Sequence, residues 1–231
     1  MSMIIVIGDV HGCLNTLQEL VRKLKKLYSS VPLYCVGDLI DRGNFSYEVI
    51  EYIKDEGIKF TPGNHDYMFY YFIKKPFSNM GASWIYNGFE KTISSYDNRF
   101  DKISEHLDII TQAPLFYNLS DCFISHAGIS GYHSSILGSE PLNDINKLDE
   151  EVRKDLTGEH GILWTRDELM NLGKLQIVGH TRKQDVTYQK WNNIVYIDTS
   201  IYTGNKLSAV VIEDGEIIAK HSVPTNMKDL D

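Results

Sequence analysis

Residues 33–43 read LYCVGDLIDRG, and the fold class turns on this stretch. Leu33 to Val36 is a short apolar run stopped by Gly37, the pattern of a buried strand. Two carboxylates, Asp38 and Asp41, and one guanidinium, Arg42, then follow before Gly43. The same grammar recurs on both sides. Upstream, Met3 to Ile7 stops at Gly8 and delivers Asp9 and His11 before Gly12. Downstream, Ile58 to Thr61 stops at Pro62-Gly63 and delivers Asn64, His65 and Asp66. Between the runs, Leu14, Leu17, Val21 and Leu24 recur at helical spacing, and so do Val49, Ile50 and Ile53, with Ser46 expected as the cap. The order β-α-β-α-β favours a parallel sheet.

The pattern then changes. From Tyr67 to Ile110 it is mostly helical and rich in aromatics, with a break around Lys74 to Met80. This reads as a largely helical insert at about 67–112 within a single domain spanning 1–231. Cys122 to Ser125 returns as a strand and is followed by His126; residues 130–159 are polar and without strong periodicity. Strand patterns follow at Leu175–Val178 (then Gly179-His180), Val186–Gln189, Ile194–Ile197, Leu207–Ile212 and Glu216–Val223. Asp214-Gly215 is a hairpin signal between the last two. The expected architecture is α/β: a two-sheet sandwich flanked by helices.

Hydrophobic residues at 42% and charged residues at 23% exclude a disordered or fibrous chain. A length of 231 residues suffices to bury roughly 70–75% of the unfolded surface, so the core needs no disulfide. The excess of 31 acidic over 23 basic side chains argues against a broad nucleic-acid-binding face. Cys13, Cys35 and Cys122 are odd in number and form no C-x-x-C pair, which reads as free thiols in a reducing compartment. No apolar run has the length of a membrane span, and the first strand stands where a signal peptide would. The expected location is cytoplasmic.

Five strand ends, each with glycine within two residues, carry the chemistry: Asp9 and His11, Asp38 and Asp41, Asn64 to Asp66, His126, and His180. Carboxyl ends of strands in an α/β sheet meet at one crevice, so these side chains converge. Oxygen and imidazole donors without thiolates suit Mn, Fe, Zn or Ni rather than a structural zinc site. Six ligands exceed the needs of one open catalytic ion, and a carboxylate bridges readily, so two divalent ions are expected. Each piece alone has an ordinary reading. Asp-Val-His is a common turn, Asn64-His65-Asp66 suits a helix cap, and His126 or His180 alone reads as a hydrogen-bonded strand-end histidine. Their conjunction carries the inference. His106, His133, His160 and His221 lack this context and read as surface or structural.

In this order, the five blocks resemble the calcineurin-like metallophosphoesterases, and Gly37–Gly43 with Gly63–His65 resemble their phosphoprotein phosphatase branch. Trp84-Ile85-Tyr86-Asn87-Gly88, followed by Thr92, and the segment Val195–Thr199 are similar to segments of the small bacterial and phage serine/threonine phosphatases. The resemblance implies that Asp9, His11 and Asp38 hold one metal and that Asp38, Asn64, His126 and His180 hold the second. It further implies Mn²⁺ as the expected ion, with Fe, Zn, Ni or Mg as alternatives. His65 becomes the acid at the leaving group, oriented by Asp41, while Arg42 and Arg166 grip phosphate oxygens. Attack would be by metal-bound hydroxide, in line and without a phosphoenzyme. Asp66 stands where many members carry Glu, Ser200 where glycine is usual after Asp-Thr, and Phe89 where a second glycine is common.

Three functions compete. The first is a serine/threonine protein phosphatase, dual-specificity included, acting on a phosphorylated protein or peptide; Trp84–Gly88 favours it. The second keeps the chemistry but takes a nucleotide substrate, as a diadenosine tetraphosphatase or an RNA-end phosphoesterase. The aromatic run Tyr67, Phe69, Tyr70, Tyr71 and Phe72 could stack bases, although such a run is more often core. The third, a phosphopeptide-binding module without catalysis, sits badly with the presence of every proposed ligand, the acid and both arginines. The absence of G-x-x-x-x-G-K-[ST] argues against a nucleotide-driven motor.

Overall fold

The computed structural model describes residues 3–231. Along the chain the strands are β1 (Ile4–Ile7), β2 (Leu33–Cys35), β3 (Lys59–Phe60), β4 (Phe116–Asn118), β5 (Cys122–Ser125), β6 (Leu175–Val178), β7 (Thr187–Gln189), β8 (Ile194–Tyr196), β9 (Lys206–Glu213) and β10 (Glu216–Pro224). They form two five-stranded sheets, ordered β10-β9-β1-β2-β3 and β4-β5-β6-β8-β7. Each sheet has a parallel centre, β1-β2-β3 in one and β5-β6-β8 in the other. Antiparallel strands complete them: β9 and β10 on the first, β4 and β7 on the second.

The sheets pack face to face. Ile4 and Val6 of β1 meet Ile124, Ile177 and Val195 of the opposite sheet, while Ile5 and Ile7 point the other way into the helical core. A strand buried on both faces has no polar side to show, which is why these segments read as unbroken apolar runs. Burying such a side chain contributes about 1.5–3 kcal/mol relative to leaving it exposed.

The helices are α1 (Leu14–Leu27), α2 (Ser46–Asp55), α3 (Asn64–Lys74), α4 (Asn79–Trp84), α5 (Phe89–Ser95), α6 (Ile103–Gln112), α7 (Ser134–Leu137) and α8 (Ile145–Lys154). Leu17, Leu20, Val21 and Leu24 form the buried stripe of α1. Helices α3 to α6 are built round Phe69, Trp84 and Tyr96, all fully buried, with ring centroids 5.0 Å (Phe69–Trp84) and 5.7 Å (Phe69–Tyr96) apart. Asp214 and Gly215 both have positive φ (50° and 79°), the hairpin turn expected from that pair.

Three features differ from the sequence reading. β4 was not expected, because its residues are only half-buried and three residues long, too short for a pattern. α8 lies in the segment read as irregular; only Leu148, Glu151 and Val152 of it are buried, so its apolar stripe is too thin to register. Ser46 does not cap α2. It is the first residue of that helix, and its Oγ accepts the backbone N–H of Asp41 at 3.1 Å. The hydroxyl that looked like a helix signal serves the loop before it.

α1 has no cap from its own flank, and the far end of the chain supplies one. Asp229 Oδ1 accepts from the backbone N–H and Nδ2 of Asn15 (2.9 and 2.8 Å), and Oδ2 from the N–H and Oγ1 of Thr16 (2.9 and 2.6 Å). A carboxylate at a helix N-terminus satisfies free donors and opposes the positive dipole end.

Candidate active site

The parallel centres of both sheets end on the same side, and their carboxyl ends deliver the polar side chains. Asp9 and His11 follow β1, Asp38 and Asp41 follow β2, and Asn64 and His65 open α3 just after β3. His126 follows β5 and His180 follows β6. All eight are buried. The backbone is bent hard to place them: of ten non-glycine described residues with positive φ, five are His11, Asp38, Asp41, Arg42 and His180. Each such residue costs on the order of 1–3 kcal/mol and persists only where the surroundings enforce it. The flanking glycines are there for close approach. A Cβ on Gly63 would lie 2.1 Å from Asp38 Oδ1, and one on Gly179 2.0 Å from Asp9 Oδ1.

The hydrogen bonds of the rings fix which nitrogen faces inward. His11 Nδ1 donates to Ile40 O (3.1 Å), His126 Nδ1 to Val36 O (2.8 Å) and His180 Nε2 to Trp164 O (3.1 Å). Burial holds the pKa of all three below the ordinary histidine value, that of His180 down to about 3, so the rings are neutral and their inward nitrogens carry lone pairs. Those lone pairs face oxygens. His126 Nε2 and His180 Nδ1 each lie 3.0 Å from Asn64 Oδ1, and His11 Nε2 and His126 Nε2 each lie 3.6 Å from an Asp38 oxygen. Acceptors facing acceptors repel unless a cation lies between them. Asp9 adds an independent sign: Oδ2 accepts the backbone N–H of His180 at 3.0 Å, but the buried Oδ1 has no hydrogen-bond partner.

Charge points the same way. Burial first, then Asp198 and Asp38, push the Asp9 carboxyl well up; burial, joined by Asp38, pushes Asp198 up to about 6. Burial also opposes ionising Asp38, and only protonated neighbouring imidazoles, His126 foremost, would draw its pKa down. His11, His126 and His180 are held neutral by burial, so their share of that counter-charge must come from another source. Two groups of side chains are close enough to share an ion: His11, Asp38 and His65, and Asp38, His126 and His180, with Asp38 in both. The donor set and its unmet acceptors fit divalent cations.

His65 differs from the other rings. Its Nδ1 donates to Asp41 Oδ2 at 2.6 Å, leaving Nε2 for the cavity. Asp41 in turn is held by the Trp84 indole N–H (3.0 and 2.8 Å to its two oxygens) and by Thr92 Oγ1 (2.6 Å). Arg42 Nη1 donates to His11 Nε2 at 3.0 Å, and its guanidinium lies 4.0 Å over the Tyr202 ring. An ion on His11 Nε2 would replace that hydrogen bond. Arg166 is exposed and lines the same cavity of about 140 Å³, together with Arg42, Asn64, His65 and His180. Every residue proposed from the sequence is thus at one place. Asp66 reaches from α3 to the N–H of Leu39 (3.0 Å) and of Gly63 (2.8 Å), tying two ligand-bearing loops together.

The cavity also holds residues that sequence reasoning missed: Arg182, Asp198, Tyr202 and Asn87. Asp198 follows the carboxyl end of β8, the sixth parallel strand. A strand stopping at an acid was visible there, but Thr199-Ser200 supply no glycine to flag it. Ser200 adopts the left-handed conformation (φ 59°) for which glycine is better suited.

Residues 2–210 match the family described as calcineurin-like phosphoesterase. The chain belongs to the calcineurin-like phosphoesterases. Members of this family hydrolyse phosphoesters at a binuclear divalent metal centre, and the His/Asp clusters here agree with that. A relative from Anoxybacillus flavithermus, bis(5'-nucleosyl)-tetraphosphatase PrpE (asymmetrical), is 29% identical over 253 aligned residues, covering 96% of this chain and 94% of its own. Among solved structures, the cold-active protein-tyrosine phosphatase of a psychrophilic Shewanella superposes with a TM-score of 0.66 at 17% identity, covering 98% of this chain and 81% of that one. A serine/threonine phosphatase from Saccharomyces cerevisiae with similarity to human PP5 gives 0.60 at 16%, covering 96% and 79%. These two likenesses establish the shared phosphoesterase fold. Among the described residues no helix is long and apolar enough to cross a membrane.

Proposed function

We propose that this phosphoesterase hydrolyses a dinucleoside polyphosphate. The observation that carries the proposal is a recess of about 530 Å³ that shares Trp164 and Arg166 with the catalytic cavity and is further lined by Met80, Ser83 and Thr157–Glu159. Its volume lies within the range of small-ligand pockets, about 300–1,000 Å³, whereas the 140 Å³ catalytic cavity has space only for a phosphate-sized group. The nearly full-length likeness to a bis(5'-nucleosyl)-tetraphosphatase supports a nucleoside in that recess. Arg182 lines the catalytic cavity as a third guanidinium beside Arg42 and Arg166, within reach of a polyphosphate.

In this proposal Asp9, His11 and Asp38 hold one ion, and Asp38, Asn64, His126 and His180 the other, with Mn²⁺ expected. Divalent ions bound there supply a Lewis acid for the phosphoryl oxygens and a water of lowered pKa. The chain's own residues do the rest. Arg42 and Arg166 hold the equatorial oxygens in a planar grip. His65 presents Nε2 to the leaving oxygen, and Asp41 keeps the ring from turning. No serine or cysteine nucleophile is used; Cys13, Cys35 and Cys122 are free and buried, and burial pushes all three thiols up, Cys122 to about 12.

The second reading, a protein phosphatase, rests on the segment Trp84–Gly88. In the structure that segment serves the common machinery: Trp84 holds Asp41, and Gly88 O accepts the backbone N–H of Arg42. That part of the segment serves machinery common to both substrates, while Asn87 of the same segment lines the catalytic cavity. The test compares cleavage of diadenosine tetraphosphate and of a phosphoserine peptide by metal-stripped protein, with and without Mn²⁺. Mn²⁺-dependent turnover with a higher kcat/KM on the dinucleotide is expected. Preference for the peptide would establish the second reading in its place.

A further inference from the structure

A dinucleoside polyphosphate has two nucleosides, and the recess at Met80 and Trp164 accounts for one. Arg166 also borders a second recess, of about 270 Å³, on the far side of the loop that carries it. The chain alternates there. Arg182 faces the catalytic cavity, while its neighbours Thr181 and Lys183 face the second recess. Leu169 and Tyr196 contribute buried apolar surface, and Gln189 offers an amide at the wall. Lys183 Nζ sits 5.0 Å from the centroid of Tyr196. Trp191 stands at the edge and is 71% exposed, an unusual state for an indole that has no partner to meet. Two acids stand on the same loop: Asp167 is occupied, accepting from Ser130 Oγ (2.5 Å) and pairing with His160 Nδ1 (2.7 Å), and the exposed Glu168 borders the recess with Lys183.

We propose that this second recess receives the other nucleoside of the substrate, its base against Trp191, with Arg166, Arg182 and Lys183 following the phosphates that join the two ends. The assignment rests on the dinucleotide reading above. Shape agrees with it: both recesses contain aromatic surface, Trp164 in one and Trp191 with Tyr196 in the other, with Arg166 bordering both, and stacking on an indole is tolerant of base identity.

The test crosses a variant with a truncated substrate. Trp191→Ala removes an exposed side chain outside the catalytic machinery, so folding and the hydrolysis of p-nitrophenyl phosphate should be unchanged. KM for diadenosine tetraphosphate should rise about tenfold, within the span expected for one lost base–aromatic stack. Adenosine 5'-tetraphosphate, which lacks the second nucleoside, should bind about tenfold more weakly than the dinucleotide to the parent protein and equally to both proteins. Lys183→Ala should raise KM for both tetraphosphates and leave p-nitrophenyl phosphate alone. An unchanged KM for the dinucleotide in Trp191→Ala would overturn the assignment. An equal loss on both nucleotides would also overturn it, by placing the one obligatory nucleoside at Trp191. Failure of the dinucleotide reading itself shows earlier and differently, as a parent protein that prefers the phosphoserine peptide.

Discussion

Trp84→Phe is the most informative single change, because it removes one N–H from the machinery and little else. Trp84 is fully buried among Phe69, Phe72 and Phe89, with ring centroids at 5.0, 5.0 and 5.7 Å, so a phenyl ring fits an already aromatic site. What is lost is the donor to both Asp41 oxygens. A hydrogen bond to a charged group contributes about 1.5–3 kcal/mol, and the incompletely filled site adds on the order of 1 kcal/mol. A loss of about 3 kcal/mol should lower Tm by about 6–12 °C at this chain length, short of unfolding the protein at 25 °C. Asp41 keeps Thr92 and His65, but less firmly oriented, so the effect on chemistry should follow the leaving group. Turnover of an alkyl phosphate should fall about tenfold, a fraction of the full contribution of a general acid. Turnover of p-nitrophenyl phosphate, whose leaving group needs little protonation, should stay within about twofold. Melting curves and steady-state rates on metal-loaded protein measure both. An equal fall on the two esters would refute the link from Trp84 through Asp41 to His65, and an unchanged Tm would refute the energetic argument.

Two further expectations follow from the same geometry. His65→Asn should slow alkyl ester hydrolysis about 10²–10⁴-fold while the metal content per chain, read by elemental analysis, stays that of the parent; loss of an ion would make His65 a ligand instead, as its distance to His11 and Asp38 permits. Asp198→Asn tests the charge argument in metal-stripped protein. The carboxyl rises from 3.8 to about 6 on folding, so its contribution is full below pH 3.8 and is lost as pH climbs through 6. The variant should therefore gain stability relative to the parent as pH rises from 4 to 7 in urea titrations, and a pH-independent difference would contradict the shift.

The strand ends were legible because three constraints coincide in the chain: a double-faced buried strand must be apolar throughout, it must stop, and a side chain delivered at the stop needs a tight turn. Gly63 and Gly179 show why the glycines were such good flags, since any Cβ there would strike Asp38 or Asp9. Where the turn does without glycine the flag is missing, and Asp198, although inside the segment Val195–Thr199, was not assigned to the site. Arg182 was illegible for a different reason. It is two residues beyond a ligand on an exposed segment, and only the folded alternation of Thr181, Arg182 and Lys183 turns it into the cavity. The aromatic run on α3 shows the opposite hazard. Tyr67 and Phe69 are buried in the helical core, and none of the five rings borders either recess or the catalytic cavity. Their spacing announced burial, not base stacking.

The first sheet has a consequence for how the chain is made. β1 is its middle strand, and one of its two neighbours is β9: Ile4 pairs with Ile212 and Ile7 with Ala209. The N-terminus of α1, just beyond His11, waits in the same way for Asp229. As a ribosome delivers these residues in order, β1, β2 and β3 emerge before β9 with an apolar edge unpaired, and that edge stays open until residues past 206 arrive. The loop bearing Asp9 and His11 cannot be completed before then. Assembly of the ion-binding centre is thereby deferred until β9 has been made, when all six parallel strands exist to receive it. A nascent fragment captured with either ion tightly bound would be at odds with that order of events.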